Sequence, residues 1–440
     1  MGIDNIKVSV VVAVYNSSRY LEQNLNSICA QTFKDIEIIL VDDGSTDGSD
    51  KILEKYASGD ERIKVLYQRE PSDGAALARN MGVSEARGGY VLVLDADDFF
   101  EEDLIEKAYN RAIDTEAEVV IYDGDLYDEK LDCIRETGMI VRREFLPSDL
   151  DVFNPRENAD NLFFMTMGSA WNVLFSRELI NRENLRFASF HHADDFGFVY
   201  LGFATATKIA VLHERLIHYR VNNSSSQAGT LYKWPDAAAG ALLSLKKELD
   251  NRDLFERYHV TFTELSIHYF DVYLERMRDY DSFEKLYLSF KNKYVRELRL
   301  DELSDEELNQ SRVVRIRRRL TLLSPGEYLY DKTHKNGLFA DDYLWESIPI
   351  GGKVVIYGAG KVGKRLFLEL MDSDKCKVVG WADKNYERLG YPIISPTKAC
   401  ETKHDYVIVA IESEHIYESI RNDLIEMGEH EGSIIHYRSE

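Results

Sequence analysis

The sequence predicts an α/β protein built on an open, doubly wound parallel sheet, followed by a helical region and a second, smaller α/β unit. Three observations predict it. Between residues 8 and 122, short apolar runs alternate with helix-length amphipathic segments, the pattern of a sheet covered on both faces. The run Val91 to Leu94 ends abruptly in Asp95, Asp97 and Asp98, and open α/β sheets bind ligands at the ends of their strands. The same alternation restarts near residue 350 with a glycine-rich turn.

The elements follow in order. Val8 to Val14 is an unbroken apolar run, and Asn16 and Ser17 are placed to cap the helix that carries Tyr20, Leu21, Leu25 and Ile28. A strand over 36–41 runs into Asp42, Asp43, Gly44 and Ser45. A helix over 49–57 leads to a strand over 63–67, and the helical pattern after Gly74 stops at Gly88 and Gly89. After VLVLDADD come a helix over 102–115 and a strand over 119–122. Residues 125–227 are less regular and rich in aromatic side chains. SFHHADDFGFVYLGF turns from polar to helical, KIAVLH and IHYR read as strands, and NNSSSQAG reads as a linker or flexible lid.

Residues 228–345 carry helix-period apolar positions. In SRVVRIRRRLTLL, Val313, Ile316, Leu320 and Leu323 share one face, flanked by Arg312, Arg315, Arg318 and Arg319. Three readings stay open: a helix packed on its apolar stripe, a helix lying on an anionic membrane surface and, a distant third, a nucleic-acid contact. The expected domains are 1–227, 228–345 and 346–440.

Composition narrows the function classes. The chain has 440 residues, 44% of them hydrophobic, enough for two or three domains with real cores. A net charge of −23 argues against nucleic acid as a partner. Cys29, Cys133, Cys376 and Cys400 lack metal-type spacing and read as reduced thiols of a cytoplasmic protein. The N-terminus lacks the pattern of a signal peptide, and no apolar run has membrane-spanning length. Membrane contact is therefore expected only as peripheral contact at the inner face.

Carboxylates at i and i+2 point to the same side of an extended chain, so Asp95 and Asp97 can converge on one cation or one ribose. The elements VVAVYN, VDDGSTDGS, ALARNMG and VLDADD occur in this order within the first 98 residues. Together they resemble a family-2 glycosyltransferase of GT-A fold, over roughly residues 5–225. The resemblance implies a nucleotide-sugar donor, a UDP-sugar in the first instance. Ala13, Tyr15 and Asp43 then belong to the donor side, with Asp43 accepting the N3–H of uracil. Arg79 would pair with Asp43 and pack beside the base. Asp95 would face the ribose or a metal-bound water, and Asp97 would ligate Mn²⁺ or Mg²⁺. Whether Asp98 shares that duty is open.

The family's base lies in an acid-Asp-x-x-aromatic element, matched here by Asp194-Asp195-Phe196-Gly197-Phe198, where Asp194 replaces the commoner Glu. Asp195 is the expected base and Asp194 the runner-up; the bland alternative is an acid favoured by a helix N-terminus. Direct displacement with inversion is implied by the resemblance alone. Of His218, Tyr219 and Arg220, which align with diphosphate contacts, Arg220 is the phosphate candidate and His218 a metal or structural residue. The Q-x-x-R-W element of processive synthases is absent, which favours one sugar per encounter. The acceptor would be a glycan, a lipid-linked or a protein-linked saccharide of a bacterial surface polymer.

Gly358, Gly360 and Gly363 fit G-x-G-x-x-G, and Asp383 lies 25 positions after Gly358, near the expected ribose acid. This last unit resembles small Rossmann-like nucleotide-binding units. A bound nucleotide and a structural or homo-oligomerising remnant are both open, and no Tyr-x-x-x-Lys dyad supports redox chemistry. The rival classes are a non-catalytic nucleotide-sugar scaffold and a bifunctional enzyme. Retention of Asp43, Asp95, Asp97 and Asp195 together favours catalysis.

Overall fold

β1 (Val8–Val14) takes a central place in the main sheet because every group it carries is satisfied without water. Its valines are buried, and its one polar side chain, Ser9, donates to Glu37 Oε1 at 2.6 Å. The computed structural model describes residues 6–68, 70–72, 74–147, 150–222, 231–333, 347–372, 375–389 and 393–438. After β1 come α1 (Ser18–Cys29), β2 (Ile36–Asp42), α2 (Ser49–Gly59), β3 (Ile63–Tyr67), α3 (Ala76–Glu85) and β4 (Tyr90–Asp95). These strands pair in parallel in the order β3-β2-β1-β4, as alternating strand and helix require. α3 lies close on the sheet: a Cβ added at Gly82 would meet Val11 Cγ1 at 2.3 Å.

Beyond β4 the sheet is mixed, which corrects the expectation of a parallel sheet throughout. β5 (Phe99–Phe100), α4 (Leu104–Thr115), β6 (Val119–Asp128), β7 (Cys133–Arg135), β8 (Val152–Phe153), β9 (Val173–Ser176), α5 (Arg177–Glu183), α6 (Phe196–Thr205) and β10 (Ile209–Val221) complete it. The four-residue β9 slots antiparallel between β4 and β6. The chain reaches it through an irregular stretch, so no crossover helix is needed. β6 continues past the expected residue 122 through Asp123, Asp125 and Asp128, all buried. β10 joins the two expected strands into one, with register shifts between Leu212 and Ile217 where His213, Glu214 and Arg215 pass.

The chain divides into two compact units, Met1–Gln310 and Ser311–Glu440. The helical stretch expected as one segment over 228–345 is thus shared between them. α7 (Ala237–Asp250), α8 (His259–Arg276) and α9 (Tyr280–Ser289) belong to the first unit. All but the first residue of NNSSSQAG lies outside the described residues.

In the second unit, the helix Ser311–Leu322 buries Val313, Ile316 and Leu320. Arg319 bridges Asp331 at 2.8 Å and Asp372 at 2.5 Å. The apolar stripe is therefore spent on packing within the protein. Among the described residues, no helix is long and apolar enough to cross a membrane. β11 (Gly352–Tyr357), β12 (Cys376–Ala382), β13 (Tyr406–Ala410) and β14 (Ile434–Tyr437) form a parallel sheet in the order β12-β11-β13-β14. Gly358 turns at φ 109°, and a Cβ on Gly363 would lie 1.8 Å from the Gly358 carbonyl oxygen. Only glycine lets the helix Lys361–Asp372 start so close to the strand.

Candidate active site

The ends of β1 and β2 are stitched together by short polar side chains. Asn16, at φ 48°, accepts from Thr46 N at 2.8 Å through Oδ1, and its own N–H donates to Ser45 Oγ at 3.0 Å. Asp47 accepts from Ser18 N at 2.9 Å and from Ser49 N and Oγ at 3.0 and 2.7 Å. Burial opposes ionisation of Asp47, but the hydrogen bonds from Ser49 and Ser18 hold its carboxyl below the ordinary value. It thereby supplies acceptors to the first turns of two helices at once. Ser17, expected to cap α1, makes no such bond; its hydroxyl donates to the Tyr15 carbonyl.

Asp43 follows β2 and is buried. Its Oδ1 accepts from Ser72 N at 2.9 Å and its Oδ2 from Ser72 Oγ at 2.6 Å. The expected Arg79–Asp43 pair is not formed. The arginine sits in α3 and turns toward β4 instead.

At the end of β4, Asn24 of α1 donates to the carbonyls of Asp95 and Asp98 at 2.8 and 2.9 Å, which sets the turn. The backbone N–H of Arg220 donates to Asp98 Oδ1 at 2.7 Å. The Arg220 side chain donates to the Asp97 carbonyl at 2.7 Å, Glu129 at 2.8 Å and Gln23 at 2.6 Å. Its guanidinium lies over the rings of Tyr20 and Tyr127 at 4.6 and 4.8 Å. Arg220 lines the cleft, yet three of its donors are directed into the protein, so it clamps the acidic turn. His218 does not join the acids: it bonds Glu101 at 2.9 Å and stacks on Phe99, a structural role.

Asp95, Asp97 and Asp98 each offer a carboxylate oxygen, all within 4.8 Å of one another. Burial, then the charges of Asp97 and Asp95, push the Asp98 carboxyl well above its ordinary value. Asp98 Oδ2 is buried without a hydrogen-bond partner among the described residues. An all-oxygen donor set with an unsatisfied buried acceptor fits a hard divalent cation.

Arg79 joins the triad to a second acidic pair. Arg79 is 8% exposed. Its Nη2 donates to Asp95 Oδ1 at 2.7 Å, and its Nη1 to Asp194 Oδ2 and Asp195 Oδ1 at 2.7 and 2.8 Å. Asp195 Oδ2 also accepts from Ala170 N at 3.3 Å. Asp195 stands at the N-cap position of α6, as the helix-terminus alternative has it, but makes no side-chain cap bond there. Burial pushes its carboxyl up to about 7; Arg79 pulls it down, and Asp194 and Asp95 push it up again. Asp194 is raised for the same first reason. Ala193 just before the pair holds φ 61°, a strained setting for alanine.

One cleft of about 820 Å³ joins these groups. Ala13, Tyr15, Asp43, Arg79, Asp95, Asp97, Asp194, Asp195 and Arg220 all line it. So do Ser72, Ser169, Trp171 and His191, which the sequence reading missed. Trp171 stacks on Tyr219 at 5.0 Å; it comes from an irregular stretch with no periodic signal to mark it. Gly358, Gly360, Gly363 and Asp383 lie in the second unit. There Asp383 accepts from Ala359 N and Asn385 N, both at 2.8 Å.

A family model described as glycosyl transferase family 2 matches residues 9–182, and one described as C2185-like, N-terminal, matches residues 351–435. Glycosyltransferase GlyG of Streptococcus pneumoniae is 34% identical over 228 residues, 50% of this chain and 72% of that protein. The cholesterol galactosyltransferase of Borreliella burgdorferi is 32% identical over 52% of this chain and 65% of its own length. Among solved structures, residues 1–349 of Staphylococcus aureus TarS in complex with UDP-GlcNAc superpose with a TM-score of 0.56 at 18% identity, covering 76% of this chain and 94% of TarS 1–349. That likeness concerns the fold.

Proposed function

This chain belongs to glycosyl transferase family 2, and we propose on that premise that it moves a sugar from a nucleotide sugar to a saccharide acceptor by one inverting displacement. The observation that carries the reading is the meeting of two acidic groups in one cleft: Asp95 and Asp97, with buried Asp98 beside them, and Asp194 with Asp195. A donor needs its diphosphate charge neutralised, and an acceptor hydroxyl needs a proton acceptor.

In this reading Asp43, Ala13 and Tyr15 receive the base and ribose end of the donor. Asp97 would hold Mn²⁺ or Mg²⁺, with Asp98 and Asp95 beside it. Such a cation offsets the negative charge of the departing diphosphate. Asp195 takes the acceptor proton; burial keeps it basic enough for that task near neutral pH, and Ala170 N and Arg79 fix its orientation. Trp171 and Tyr219, stacked on one another, line the same cleft. All transfer chemistry is assigned to residues before 228. A UDP-sugar is the preferred donor, and a surface polysaccharide, lipid-linked or protein-linked glycan the preferred acceptor. The second unit takes no part in the transfer reading; its Asp383 accepts from Ala359 N and Asn385 N.

The test is a thermal-shift screen of UDP-, GDP- and dTDP-sugars with Mn²⁺. A ligand bound only by the native state at 100 times its Kd stabilises by about 2.7 kcal/mol. A UDP-sugar shift abolished by EDTA is expected. Equal silence from every nucleotide sugar would overturn the donor reading.

A further inference from the structure

We infer that Arg79 is the positioning residue that locks the base-bearing segment to the donor side of the cleft, and not a contact of the nucleotide base. The inference rests on the transfer reading above and goes beyond it. One guanidinium spans Asp95 at the end of β4 and Asp194 with Asp195 at the start of α6, at 2.7 to 2.8 Å. These carboxylates are 16, 115 and 116 positions away in sequence. Asp43, the partner the family resemblance implies for Arg79, accepts from Ser72 instead.

The neighbouring residue acts on the same segment. Asn80 Nδ2 donates to the Phe187 carbonyl at 2.8 Å, and Phe187 N donates to Asn80 Oδ1 at 2.9 Å. The Phe187 ring lies 5.4 Å from the Arg79 guanidinium and stacks at 4.2 Å on Phe198 of α6. Arg79 and Asn80 therefore hold both ends of the stretch from Phe187 to Asp195. α3 is a rigid mount for them, because Gly82 lets it seat directly on Val11. A buried arginine among carboxylates adds little net stability over an apolar replacement. Its planar fork, however, fixes two acidic groups at a set spacing, which a lysine ammonium cannot do.

The test uses the full chain. The rate read is release of UDP from whichever UDP-sugar stabilises the protein most, and affinity is read with UDP and Mn²⁺ by calorimetry. Arg79→Gly is expected to lower kcat about 10²-fold, the usual effect of a misplaced catalytic group. The affinity for UDP should stay within a few-fold, and millimolar guanidinium should restore part of the rate. Arg79→Lys should keep UDP affinity and still lose kcat. If Arg79→Gly instead weakens UDP binding and keeps kcat at saturation, the arginine is a donor contact and the inference falls. Should Arg79→Gly not fold, wild-type kcat in Arg79→Lys overturns it as well. Asp195→Asn, measured alongside, separates the two levels. A fully active Asp195→Asn removes the base reading itself, whereas an inactive one beside an unaffected Arg79→Lys removes only the positioning role.

Discussion

At the scale of single residues, the cleft sets burial against charge. Asp195 lies deep enough that its carboxyl rises from 3.8 to about 7. The proton-accepting form then accumulates as pH rises through about 7, so the transfer rate should climb through that range and fall below it. The sign for stability is opposite. The folded chain binds this proton more tightly than the unfolded chain, so the group's contribution to stability falls as pH rises from about 4 to about 7. Asp195→Asn should lower kcat by about 10²–10⁴-fold and flatten the acidic limb, with donor affinity little changed. A pH–rate profile of the variant that keeps both the wild-type limb and the wild-type rate would refute the assignment. Asp97→Ala makes a different prediction. It should abolish the Mn²⁺ dependence of UDP binding while leaving the metal-free unfolding free energy within about 0.5 kcal/mol of wild type, since it removes no core packing. Calorimetry with and without EDTA reads the first, and a thermal melt the second.

At the scale of elements, the polar loop after β2 holds helix ends. Asp47 serves Ser18 at the start of α1 and Ser49 at the start of α2. Losing a single N-terminal cap costs typically about 1 kcal/mol, so Asp47→Ala should cost at least that in urea unfolding. Amide exchange should quicken at Ser18 and Ser49 in particular. The VDDGSTDGS stretch thus reads as a donor element in sequence while also joining two crossover helices. β9 is the converse case. Its VLFS is too short to show a strand alternation, and pairing with β4 and β6 makes it a strand.

At the scale of the molecule, the boundary at Gln310 matters more than the break in composition near residue 345. Every residue proposed for transfer precedes it. The fragment 1–310 should therefore fold, melt cooperatively and bind UDP with Mn²⁺ as the full chain does. The fragment 1–345 should be less soluble, because it carries the helix Ser311–Leu322 without the unit that buries Val313, Ile316 and Leu320. Sedimentation and calorimetry on both fragments check this. A 1–310 fragment that folds but cannot bind UDP would mean that the second unit takes part in donor binding.

The first four strands and their parallel pairing, the acids at their ends and the glycine-rich restart were legible in the sequence by itself. Each depends on local chemistry: apolar runs that must be buried, carboxylates that end a strand, glycines where a side chain cannot fit. Asp95 and Asp97 were named from that local pattern and Asp43 and Asp195 from the family resemblance, and the structure gathers all four in one cleft. Tertiary structure alone decided what each charge faces. Arg79 meets Asp95, Asp194 and Asp195 and not Asp43, Arg220 turns inward to clamp Asp97 and Glu129, and Trp171 closes the cleft from an irregular stretch. Local sequence specifies where a side chain leaves the backbone. Which buried ion pairs form depends on which distant carboxylates the packed sheet brings within about 3 Å, and no periodicity along the chain records that distance.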